Sequence, residues 1–400
     1  VFRRPLLPTL GALSAVLALA SCASPATEQP TTEASSDAHG AVAGAAEMSE
    51  PQLHLTTVDA AGLVSQLDLL DESVVEIGDI GRASQMATDG RYLFATGEEG
   101  VTVVDSGMWT WDHVDHFHYY RAEPRILGTL SDGGPATVAT TNLSTTGGTG
   151  LFFAESGSAI LLDTAALSKG EIEESFRLDV TPHDGYVVPI GSFALVTDGS
   201  GSVAVHDTDG GPIAGSSVAC EAPSGTVHTR VGAVLGCADG ALLATLVDDT
   251  VEIERIAYPA GVGPVTGFAN REGRPTAAGL DSEGRILLLD TRERSWATLP
   301  APAELTAVTA VDDAAQHVLA LDAQGRMHVI DGATGALLAT TAPLVSGAAG
   351  AATLIADDQR AYLNSPADRR LYEIDYADGG RIARTFETTG EPTHLAETGR

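Results

Sequence analysis

From residue 51 onward the chain is built of short apolar runs, alternating or continuous, separated by Asp-Gly, Gly-Gly and Glu-Gly turns, with almost no helical periodicity. That pattern predicts β-strands joined by tight turns. Eight of the runs end in an aspartate: Val-Ser-Gln-Leu-Asp68, Val-Thr-Val-Val-Asp105, Ile-Leu-Leu-Asp163, Ala-Val-His-Asp207, Ala-Thr-Leu-Val-Asp248, Leu-Leu-Leu-Asp290, His-Val-Ile-Asp331 and Tyr-Glu-Ile-Asp375. All but two of their spacings lie between 41 and 44 residues. A period of that length in an all-β pattern marks a β-propeller with one four-stranded blade per repeat. Eight markers predict eight blades. Seven would result if the repeat around Asp248 were not a true one, since no hairpin turn precedes its strand.

The ends of the pattern are complementary. The chain beyond Asp375 supplies about half a repeat, and residues 51–68 supply the remainder. The closing segment Pro392-Thr393-His394-Leu395-Ala396 is therefore expected to form the inner strand of a blade whose outer strands come from the N-terminal side. Such a fastening leaves no open sheet edge.

Composition narrows the partners. With 22 Lys and Arg against 54 Asp and Glu, the formal charge is −32, which repels nucleic-acid backbones and anionic lipid headgroups. Three cysteines are too few for a disulfide-dense scaffold or a Cys₄ zinc module. Arg3 and Arg4 precede an apolar stretch from Leu10 to Ala20, too short for a spanning helix, which closes in Leu19-Ala20-Ser21-Cys22. Residues 1–21 are expected to be a lipoprotein signal peptide, with Cys22 as the lipidated first residue of an extracytoplasmic protein anchored to the cell membrane. Residues 22–50, rich in Ser, Thr, Ala, Pro and Glu, are expected to form a flexible tether. Residues 51–400 then form a single propeller domain, expected to be a monomer.

One interval breaks the period. Asp105 and Asp163 are 58 residues apart, and much of the excess lies in a segment holding His113, Asp115, His116 and His118 with Trp109 and Trp111. Oversized loops in a regular scaffold usually carry function. In an extended segment His116 and His118 point to one side, as two imidazole ligands of one metal would, and His113 and Asp115 are near enough to complete the site. Counted from the preceding aspartate, His183, His228 and His394 share one phase of the repeat, expected to open the innermost strands. The long loop is expected to enter its own inner strand near Ile126, at the same channel mouth. Imidazole with carboxylate and no thiolate suits Zn²⁺ first, with Cu²⁺ or Ni²⁺ able to compete. Cys220 and Cys237, in an oxidising compartment, are expected to form a disulfide bracing the strand that carries His228.

The segments Trp111-Asp112-His113-Val114-Asp115-His116-Phe117-His118-Tyr119-Tyr120-Arg121-Ala122-Glu123-Pro124, Thr181-Pro182-His183-Asp184-Gly185, Gly236-Cys237-Ala238-Asp239-Gly240 and His394-Leu395-Ala396-Glu397 resemble those of the AztD-type zinc metallochaperones. The likeness covers residues 51–400. It implies an extracytoplasmic propeller that hands zinc to the solute-binding protein of a zinc ABC transporter. It also implies His113, His116, His118 and His183 as ligands, with His228 near the site. Asp184 stands where the family pattern has a second histidine and can offer a carboxylate instead. Two other functions fit the same fold: a metal-dependent lyase, lactonase or hydrolase with Asp115 as general base, and a metal-free interaction scaffold. No Gly-x-Ser-x-Gly nucleophile motif accompanies the enzyme alternative, so no catalytic residue is expected.

Overall fold

A computed structural model describes residues 40–112, 116–142, 144 and 147–399. Among the described residues, eight of the nine antiparallel sheets set their first strands beside one another around a central channel, a β-propeller of eight blades. We denote the strands of each blade A to D from the channel outward. The first blade joins the two ends of the chain: Pro392–Thr398 is its A strand, paired to His54–Asp59, with Leu63–Asp68 and Val74–Asp79 outside. The second runs Gln85–Thr88, Tyr92–Gly97, Gly100–Asp105 and Arg125–Leu130. The expected closure by N- and C-terminal strands is thus present.

The blade around Asp248 is genuine. Gly240–Val247 pairs with Thr250–Ala257 through a tight turn in which Asp248 and Asp249 both have positive φ. In the sixth blade Thr276–Leu280, Ile286–Asp290 and Ser295–Leu299 form B, C and D. The inner strand is reduced there to bridges from Val265 to Asp281 and from Ala269 to Ala278. One short helix, Thr164–Lys169, is capped by the Asp163 carboxylate.

The recurrent aspartates have a local cause. Each closes, or in the case of Asp248 immediately follows, a C strand. At Asp68, Asp105, Asp163, Asp207, Asp290 and Asp331 the carboxylate accepts the backbone N–H two residues on, at 2.7–3.0 Å. That bond turns the chain out of the strand toward the next one.

Middle strands are buried on both faces because each blade packs against two neighbours. Tyr92, Phe94, Val101 and Val103 of the second blade join Leu151, Phe153 and Ile160 of the third in one apolar cluster. Outer strands are wetter, and Val74, Val75, Leu337 and Leu338 remain exposed. Cys220, just beyond the outer strand Val218–Ala219, is bonded to Cys237 at the end of Ala233–Cys237, with Cα atoms 5.1 Å apart. The bond staples one blade to the next, closing a loop long enough for about 3 kcal/mol by the chain-entropy model. Such a bond persists in an oxidising, extracytoplasmic setting.

Two expectations about chain layout need correction. Ile126 does not open an inner strand. It lies in Arg125–Leu130, the outermost strand of the second blade, bonded to Gly100–Asp105. The extra residues are therefore an insertion between strands C and D, because the next inner strand begins only at Ala136. The folded body also begins before residue 51: Ala46–Met48 is a strand, and residues 40–50 lie within the described structure.

Candidate metal centre

The insertion after Asp105 folds as a hairpin of its own. Met108–Asp112 pairs with Phe117–Arg121, and Ala46–Met48 adds a third strand along the outer side of Phe117–Arg121. Its root is polar and fully buried. Both oxygens of Asp105 accept from Arg91, Nε and Nη2 each at 2.9 Å, and Oδ1 also accepts the Gly107 N–H. Gly107 has φ 74°, and a Cβ there would lie 2.3 Å from the Ala122 carbonyl oxygen, so only glycine lets the two strands leave the blade together.

Above the root an aromatic column holds the hairpin upright. The Arg91 guanidinium lies 3.8 Å from the Trp109 ring centroid. Trp109 stacks on Tyr120 at 5.3 Å, and Tyr120 lies parallel to His118 at 6.3 Å. The indole N–H of Trp109 donates to the Gly40 carbonyl, drawing the N-terminal segment onto the sheet. Thr110 donates to the Gly399 carbonyl, so the hairpin also touches the ring-closing strand. Burial, and to a smaller degree the Glu47 carboxylate, pushes the Tyr120 phenol up.

At the tip end of this column His116 and His118 converge. Their Nε2 atoms are 2.9 Å apart with the rings edge to face, and His118 Nδ1 is 2.7 Å from Glu47 Oε1. A tetrahedral zinc ion at ~2.0–2.1 Å from each nitrogen would hold them about 3.3 Å apart, so the rings need to part by only a few tenths of an ångström. His113 and Asp115 lie outside the described residues. Among the described residues, no group of three or more His, Cys, Asp or Glu side chains is placed to hold a metal.

Two of the other candidate histidines, His183 and His394, stand away from the hairpin. In each blade the inner strand starts at one end of the ring, where B–C turns and blade-to-blade connectors lie, and the C–D connection lies at the other end. The hairpin is a C–D insertion. His183 and the exposed Asp184 precede the inner strand Val187–Ile190, and His394 is near the start of Pro392–Thr398, both at the opposite end from the hairpin. Their nitrogens are engaged locally. His183 Nδ1 donates to the Thr181 carbonyl at 2.7 Å while Nε2 meets Thr197 Oγ1 at 2.8 Å, and His394 Nε2 donates to the Ala83 carbonyl at 3.1 Å.

His228 ends its inner strand, Thr226–His228, instead of opening it, and donates through Nε2 to the Pro189 carbonyl at 2.6 Å. The shared phase misled here because the preceding outer strand has two residues and the connector after it is long. The disulfide braces the beginning of that strand, since Cys237 closes the neighbouring strand beyond the Thr226–Leu235 pair.

Burial pulls the His228 pKa down. The folded state thus prefers the neutral ring, and the stability this contributes is present above about pH 6.5 and lost as pH falls below it. Urea denaturation at pH 7.5 and 5.5 is expected to show a larger loss for the natural chain than for His228→Gln. Equal losses would exclude His228 as a source of acid sensitivity.

Glu47 is the residue that sequence reasoning assigned to the tether. Nothing local distinguishes it; only the pairing of Ala46–Met48 with a strand some seventy residues on brings it to His118.

No protein-family model and no curated protein matches the chain. Among solved structures it is similar to apo AztD from Citrobacter koseri, at 21% identity over 87% of this chain and 98% of that one, with a TM-score of 0.75. A second crystal structure of Citrobacter koseri AztD gives 21% identity, the same coverage and 0.74. The computationally designed Ika8 protein is similar at 15% identity over 86% of this chain and 97% of that one, with 0.52. The resemblance first seen in the histidine segments thus extends to the architecture, and the chain shares the propeller fold of AztD.

Proposed function

We propose that this protein is an extracytoplasmic zinc carrier, not an enzyme, which binds Zn²⁺ on its hairpin insertion and passes it to the solute-binding protein of a zinc ABC transporter. The observation that carries this reading is the facing of His116 Nε2 and His118 Nε2 at 2.9 Å on a segment that stands outside the blades. His113 and Asp115, next to them in sequence, are proposed as the remaining ligands. The proposed ligand set omits His183, Asp184 and His394, which lie at the other end of the ring, and His228, whose Nε2 is held by the Pro189 carbonyl. Lipidation of Cys22 would anchor a monomer at the membrane where the transporter works.

The arrangement suits transfer. His116 is exposed and His118 only partly buried, so an incoming ligand can reach the ion while one imidazole still holds it. Ligands can then be exchanged one at a time, and zinc is never free. The formal charge of −32 raises the cation concentration around the protein. The two-residue spacing of the histidines on a short hairpin keeps both on one side of the sheet.

The test is a transfer titration. Zinc-loaded protein is mixed with a zinc-specific solute-binding protein in the presence of a chelator that traps any released ion. Direct handover predicts zinc on the acceptor faster than the carrier loses zinc to the chelator alone. Transfer no faster than that spontaneous loss would overturn the carrier role.

A further inference from the structure

We infer that Glu47 is a positioning residue for His118, so that the N-terminal strand Ala46–Met48 is a working part of the metal centre. The inference deepens the proposed function and rests on His116 and His118 being ligands. In the register of the small sheet Glu47 stands opposite Tyr120, and His118 is the next residue of Phe117–Arg121 on that same face. The carboxylate reaches diagonally to His118 Nδ1, 2.7 Å away. A carboxylate oxygen can only accept, so the proton of a neutral His118 sits on Nδ1 and the lone pair sits on Nε2. That lone pair points at His116.

A carboxylate behind an imidazole does two things for a metal ligand. It fixes the tautomer and ring orientation, and it makes the coordinating nitrogen more basic. The stacking of His118 against Tyr120 sets the plane of the ring, but a ring can turn over about its Cβ–Cγ bond, which puts a carbon where each nitrogen stood. Glu47, by holding Nδ1, selects the orientation in which Nε2 faces His116. The side chains of Glu47 and His118 are 41% and 23% exposed, so their pairing contributes little to folding. The strand itself stays attached through its backbone ladder and through the Trp109–Gly40 bond. Removing the carboxylate should therefore change the site without unfolding the hairpin.

The experiment compares the full chain with Glu47→Ala, Glu47→Gln and His116→Ala/His118→Ala. Long-range ¹H–¹⁵N spectra of the metal-free, histidine-labelled protein report the tautomer of His118 directly. The natural chain is expected to show the Nδ1–H form and Glu47→Ala a shift toward Nε2–H. Glu47→Gln, whose amide oxygen still accepts, should keep the Nδ1–H form. Chelator competition should show zinc bound about 10- to 100-fold more weakly by Glu47→Ala, with Glu47→Gln in between.

An unchanged tautomer and unchanged affinity in Glu47→Ala would overturn the positioning role. If His116→Ala/His118→Ala keeps full zinc binding, the ligand assignment itself fails. If that variant loses zinc while Glu47→Ala binds it normally, only the role of Glu47 falls.

Discussion

Replacing His116 and His118 together by alanine is expected to abolish tight zinc binding while leaving the propeller as stable as before. Structural zinc sites bind with roughly 10–16 kcal/mol, shared among about four ligands. Loss of two imidazoles should then weaken affinity by on the order of 10³-fold or more, since each 1.4 kcal/mol is a factor of ten. Neither side chain belongs to a blade core, so the cost to folding should lie within the ~0.5 kcal/mol usual for surface changes. His183→Ala and His394→Ala supply the contrast. Those histidines are hydrogen-bonded at the other end of the ring, and zinc affinity should not respond to their loss. A chelator-competition titration of all the variants checks both halves. Zinc held normally by the double variant would place the site elsewhere.

The second large effect concerns the root of the hairpin. Arg91 and Asp105 are 1% and 2% exposed and pair through two bonds of 2.9 Å. Truncating one partner of such a pair leaves the other charge buried without its main partner, which costs up to about 3–5 kcal/mol, less here by what the 3.7 Å contact of Asp105 to Arg125 retains. Arg91→Ala should accordingly lower the urea midpoint strongly, and the loss of the guanidinium from the Trp109 face adds to the effect. Arg91→Met, which restores apolar bulk, should recover little because Asp105 is left with only the Gly107 N–H and a longer, 3.7 Å contact to the half-exposed Arg125. Arg91→Met with Asp105→Asn should recover most, since no buried charge is then left without a partner. If Arg91→Ala unfolds at the same urea concentration as the natural chain, the hairpin root is not the structural key that its burial implies.

Residue features that act locally were legible without coordinates. The terminal aspartates mark the blades because at six of the eight the carboxylate needs only the backbone N–H two residues ahead, a contact that no distant strand can alter. Ring closure was legible because two incomplete repeats at the ends must complete one sheet. Cys220 and Cys237 had no other cysteine to pair with once Cys22 was assigned to lipid.

The histidine constellation was only partly legible. Two-residue spacing in an extended segment was enough to bring His116 and His118 together. Gathering His183, His228 and His394 beside them required knowing the end of the ring at which each inner strand starts. Alternation with a period of two is the same for an inner and an outer strand, so Ile126 could be assigned to either.

Taken alone, the order of residues determines the propeller repeat, with eight blades favoured over seven, the closure, the disulfide and the pair of imidazoles, because each follows from short-range geometry or from repetition. The tertiary structure alone decides that the hairpin branches from the outer side of the second blade, that His183 and His394 lie at the other end of the ring, and that Glu47 stands behind His118. Strand polarity and long-range pairing set those positions, and neither leaves a mark on the hydrophobic pattern of a single segment.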